Sequence, residues 1–178
     1  MGILSWFDSC SDKEREAARK VIAAGKAMAG AGYRPICDRF PGFSAVAGHS
    51  RLEAYDHYYT IAFAIMALIG ANMYFPMARR QGTTRAISTE LEKGHKGAYK
   101  KDGRQLMDKL NANNSVSQEV CLGGWLIDQI SREIRDNKYK SALQELKQEE
   151  KLMSALGNQI MAQSAESVVD CFLEDKNN

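Results

Sequence analysis

Three acid-base side chains stand four residues apart at His49, Glu53 and His57, with Asp56 beside the last. On one continuous helix that spacing places them along a single face, and imidazole and carboxylate lone pairs converging from one side are what a divalent metal requires. A second candidate is Glu92-Lys-Gly-His95, the Glu-x-x-His element that di-iron bundles use in two copies with two further inward glutamates. Here it occurs once, among lysines and glycines. Ser50-Arg-Leu-Glu53 has the form of a capping box, which places His49 before the helix, and no further ligand is visible in sequence. The expectation is therefore no metal and no cofactor, with solvated polar residues at a helix start. A metal-binding or enzymatic bundle built on Glu53 and His57 is retained as an alternative.

The rest of the catalytic inventory is empty. The chain has only three histidines and no GxSxG, HExxH, P-loop or GxGxxG pattern. Cys10, Cys37, Cys121 and Cys171 lie far apart without a CxxC pair, so they read as reduced, packed thiols, Cys37 included. A non-enzyme is the favoured reading.

Binding features are clearer than catalytic ones. The 24 basic and 22 acidic residues nearly cancel over the chain, which gives no global field for nucleic acid or an anionic membrane. Between Arg79 and Lys109, however, nine Lys or Arg face only four acids. Arg79, Arg80, Lys93, Lys96, Lys100, Lys101 and Arg104, with Tyr99 among them, form a candidate surface for a protein partner, an acidic one by charge. Nucleic acid is disfavoured, because one tyrosine is a thin stacking platform. Tyr33, Phe40 and Phe43, in a stretch with Pro35 and Pro41, are candidate aromatic anchors on a loop over 33–48 that packs on the core.

The elements that must position these residues read as helices throughout. Ser11-Asp-Lys-Glu14 is a capping box opening a helix that Gly30 and Gly32 should stop. The Ser50 box should open a central helix over 51–75, ended by Pro76. Its middle, Ile61 to Ala71, is apolar on every face, and Tyr58-Tyr59, Tyr74-Phe75 and Arg79-Arg80 flank it as girdles and anchors flank a membrane span. Eleven residues suit a buried core helix better than a crossing, which needs about 20. A basic, glycine-interrupted segment over 79–114 should hold short helices at 84–93 and 104–111 and a turn at Asn111-Ala-Asn-Asn114. A third box, Ser115-Val-Ser-Gln118, should begin a helix ending near Asn137, and the C-terminal stretch should be helical to Leu173, either projecting at Lys147–Lys151 or jointed near Gly157.

These readings give an all-α, single-domain bundle of about five to seven helices around 51–75, after an N-terminal lead-in over 1–10. The N-terminus lacks a secretory pattern, and Trp6 stands where myristoylation wants Ser or Thr. The functional expectation is a non-enzymatic, cytoplasmic protein-interaction module: an assembly component, adaptor or inhibitor of unspecified oligomeric state. The alternative is a small inner-membrane component with 59–78 in the bilayer and its C-terminal side cytoplasmic.

Overall fold

Ser11 does what its box requires: its hydroxyl accepts from the Glu14 amide at 3.2 Å, and its own amide donates to the Glu14 carboxylate at 2.9 Å. In a computed structural model of the chain, helix α1 (Asp12–Arg39) starts there. The structure describes residues 10–112, 115–146, 148–168 and 170–171; the side chains at 48–52 and 78 lie outside that description. So do most of the N-terminal lead-in, the expected turn at 113–114 and the expected end at Leu173.

Gly30 and Gly32 do not stop α1, which corrects the first boundary. Neither adopts the left-handed conformation that ends helices, and Gly25 of the same helix serves packing instead. A Cβ at Gly25 would lie 3.1 Å from the Phe63 ring, so its absence lets α1 and the central helix approach closely. Pro35 is accommodated inside α1. The expected loop over 33–48 is accordingly helical except for Phe40, whose backbone (φ −128°, ψ 79°) both ends α1 and precedes α2 (Pro41–Tyr74). Pro41 at the first helical position needs no hydrogen-bonded amide and comes with its φ already set. Helix α2 thus begins ten residues before the start at 51 expected from the Ser50 box.

The middle of α2 is buried by protein on all sides: Ile61, Phe63, Ala64 and Ile65 are at most 1% exposed. Helix α1 and two later helices, α5 (Gln118–Glu133) and α7 (Glu150–Val168), supply most of the cover of α2. No helix among the described residues is long and apolar enough to cross a membrane, which removes the span at 59–78. Pro76 does end α2, as expected. Helix α3 (Met77–Gly94) follows at once, longer than the expected 84–93. After it come a π-helical turn (Ala98–Gly103) and α4 (Arg104–Ala112). Helix α5 (Gln118–Glu133) is preceded by Ser117, not Ser115, and the Ser117 side chain makes no capping bond. It ends four residues short of Asn137. The C-terminal stretch divides into α6 (Asn137–Leu146) and α7 (Glu150–Val168), so the joint is at the polar run and not at Gly157.

Gly157 has a different task. A Cβ there would collide with the backbone carbonyl of Glu119, and one at Gly123 with that of Met153. The two contacts are reciprocal, and α5 and α7 cross antiparallel with their backbones touching. Among the described residues there is no strand, and seven α-helices with the π turn make an all-α bundle. The four cysteines form no disulfide; the Cys10 and Cys121 thiols point at the Gly82 and Lys109 carbonyls, both at 3.7 Å.

Candidate functional site

The two histidine motifs that look unrelated in sequence meet in space. Glu53 and His57 are one turn apart on α2, and α3 delivers His95 to the same place. The delivery depends on how α3 ends. Past Gly94 the chain turns extended at His95 (φ −159°, ψ 124°), and Gly97 adopts φ 91°, a left-handed conformation that glycine tolerates without strain. The turn is fastened by Glu92, whose carboxylate accepts the amides of Gly97 (2.8 Å), Tyr99 (3.0 Å) and Lys100 (2.7 Å). Those hydrogen bonds hold the Glu92 carboxyl below its usual range. Glu92 is therefore spent on structure, and the Glu-x-x-His reading separates into a positioning carboxylate and a placed imidazole.

The His95 ring lies 4.3 Å from that of His57, centroid to centroid and inclined 57°. Both line a cleft of about 700 Å³ between α1, α2 and the end of α3. Its apolar wall includes Ile22, Ile61 and Leu91, and its polar groups include Glu53, Asp56 and Lys26. Glu90, also on the wall, takes Lys93 at 2.6 Å and Arg19 at 3.6 Å. Burial and the neighbouring His95 hold His57 below its ordinary pKa, while Asp102 and Glu133 pull the other way. The Nε2 of His57 is buried and has no hydrogen-bond partner. Among the described residues no group of three or more His, Cys, Asp or Glu stands ready to hold a metal.

The expected basic surface is divided by the length of α3. Arg79 and Arg80 lie at its start and Lys93 at its end, which at 1.5 Å per residue puts them about 20 Å apart. Lys93, Tyr99, Lys100 and Arg104 come together around a shallow pocket of about 440 Å³, with Glu92 in its wall. Lys96 and Lys101 are exposed nearby without lining it. The aromatic anchors fare differently. Phe43 is fully buried, and the Tyr33 ring lies inclined at 6.3 Å from it and edge-on at 4.9 Å from Tyr55, so these rings pack with the core and not on an exposed loop. Phe40 is half-buried, with the Arg39 guanidinium 5.4 Å over its ring.

One surface feature was not singled out from sequence. At the α2–α3 corner Met73, Tyr74 and Met77 are 77%, 70% and 75% exposed. Arg79 and Arg80 flank them in fixed positions: Arg79 lies 4.9 Å over the Phe75 ring, and Arg80 Nε donates to the Phe75 carbonyl at 2.6 Å. The available signal was Met-Tyr-Phe-Pro-Met, an apolar run crossing a proline corner where a helix cannot continue to bury it. No protein-family model matches the chain, no curated protein is significantly similar to it, and no solved structure matches it.

Proposed function

We propose that the chain is a non-enzymatic helical interaction module that engages a protein partner through the α2–α3 corner. The observation that carries this reading is the exposure of Met73, Tyr74 and Met77 beside two arginines already held in place by Phe75. Methionine, tyrosine and arginine are the residue types enriched in interfaces. Holding the guanidinium groups before contact lowers the ordering cost of binding and suits carboxylates at fixed positions on a folded partner. A fluid bilayer offers no such fixed geometry. The partner should therefore present an apolar groove edged by acidic residues. The proposed setting is the cytoplasm, where cysteines that pack as small apolar groups remain reduced.

The test is site-specific photo-crosslinking in cells, with the reactive side chain at position 74 and, as control, at exposed position 16. Position 74 should give one discrete protein adduct that position 16 does not, and Met73→Asp with Met77→Asp should remove it. With that partner purified, Arg79→Glu and Arg80→Glu should slow association more than they hasten release. Identical adducts from both positions, or adducts with lipid alone, would overturn the reading.

A further inference from the structure

We propose that Thr89, Lys93, Lys100 and Arg104 form a binding site for a phosphomonoester, in the pocket of about 440 Å³ between the end of α3 and the π-helical turn. Two pairs of side chains build it, each spaced four residues apart so that its members share a helix face. Thr89 and Lys93 come from α3. Lys100 and Arg104 come from the turn and the start of α4, which run one into the other. All four line the one pocket, with the half-buried Tyr99 beside them.

The site is assembled before any ligand arrives. Glu92 accepts the amides of Gly97, Tyr99 and Lys100, which fixes the backbone carrying Lys100 against the end of α3 and lowers the ordering cost of binding. The same carboxylate is thereby turned to the backbone and forms no ion pair with Lys100 or Arg104. Among the described residues the side chains of Lys100, Arg104 and Thr89 make no hydrogen bond or ion pair. Lys93 leans on Glu90 at 2.6 Å, with Arg19 on the same carboxylate at 3.6 Å, so Lys93 adds positive field while the other three supply the open contacts.

Three cations against one carboxylate line the pocket, and the other acid of the turn, Asp102, is buried. Lys100 and Arg104 are like charges one turn apart, an unfavourable pair that a bound anion relieves. A phosphomonoester suits the set better than a carboxylate does. It carries close to two negative charges and three acceptor oxygens, enough for a guanidinium fork, an ammonium and a hydroxyl at once. A carboxylate has one charge and two oxygens and would leave a cation unmatched. The pocket is too small to track a nucleic-acid backbone, and Tyr99 is its only ring.

The experiment titrates the full-length protein by calorimetry, with glycerol 3-phosphate as a free monoester and, separately, with phosphatidylcholine vesicles containing phosphatidic acid as a lipid-borne one. One equivalent of glycerol 3-phosphate should bind at millimolar concentration or below. Lys100→Ala and Arg104→Ala, both at exposed positions, should each weaken binding about tenfold or more, as expected for a lost hydrogen bond between charged groups. Arg104→Lys should weaken it less, because the charge remains and only the fork is lost. Lys138→Ala, which removes an exposed cation on α6, should leave binding unchanged. Binding to the vesicles alone, lost in Lys100→Ala and Arg104→Ala, would uphold the site with a lipid headgroup as its ligand. Equal weakening by Lys138→Ala would mean a diffuse field in place of a site and would overturn the proposal. So would the absence of saturable binding to either probe at millimolar phosphate, or tighter binding to single-stranded DNA, whose phosphodiesters carry one charge each.

Discussion

The α5–α7 crossing and the α1–α2–α3 cleft are opposite solutions to packing helices. At the crossing, Gly123 and Gly157 remove every side-chain atom between two backbones. At the cleft, Arg19, Lys26, Glu53 and Glu90 line a space of about 700 Å³ left open to solvent between the helices. The first arrangement gives van der Waals contact at close range, but tolerates no added atom. The second sacrifices that contact and leaves polar groups where a ligand can reach them. In this bundle rigidity and accessibility are assigned to different groups of helices.

The comparison breaks most severely if the crossing can expand. Gly157→Leu would drive a side chain into the Glu119 backbone, which cannot swing away as a flexible side-chain end can. The expected loss is about 3 kcal/mol or more, read as a large fall in the denaturant midpoint or the loss of a cooperative transition. A variant that melts like the wild type would show that α5 and α7 are not in backbone contact.

An intermediate effect is expected on the open side. Glu92→Ala frees three amides at the turn carrying His95, a loss comparable to removing a helix cap, about 1 kcal/mol. Its pH dependence follows from the lowered Glu92 carboxyl. A group depressed in the folded state stabilises the fold above the unfolded carboxylate range, and that share is lost as pH falls through the folded value. The gap between wild type and Glu92→Ala should therefore close on acidification. Denaturant titrations at neutral pH and in the acid range check this, and a gap that widens towards low pH would contradict it.

The smallest effect has the opposite sign. Gly30 lies within α1 with nothing within 4 Å of where a Cβ would stand. Gly30→Ala should raise stability by about 0.5–1 kcal/mol, visible as a small rise in melting temperature. A loss would mean that α1 makes a close contact there.

Much of the fold was legible because helical signals are local. The Ser11 box, the stop at Pro76 and the all-round apolar run of α2 each depend on a few neighbouring residues. The misreadings came where burial overrode local preference. Pro35, Gly30 and Gly32 argue against helix one residue at a time, yet the cost of accommodating them is offset by the burial of their helix neighbours Ala29 and Ile36 in the core. Ser50 and Glu53 match a box by pattern although Pro41 had already started the helix. The site was less legible still. Glu53 and His57 were recognisable as neighbours on a helix, and so was Glu92-x-x-His95, but that the two imidazoles meet depends on α3 folding back along α1 and α2. The Glu92 clasp hid behind Gly94 and Gly97, which read as loose joints until three amides are seen to share one carboxylate.

The cover of α2 also has a consequence for synthesis. Tyr59 of α2 donates to Gln163 of α7 at 2.6 Å, a pairing across 104 positions of chain. Until the ribosome has made α7, the apolar middle of α2 lacks the helix that shields one of its sides. At about 5–20 residues per second that interval lasts on the order of 5–20 seconds. For that time the nascent chain shows a chaperone or a targeting factor an apolar segment that the finished molecule conceals.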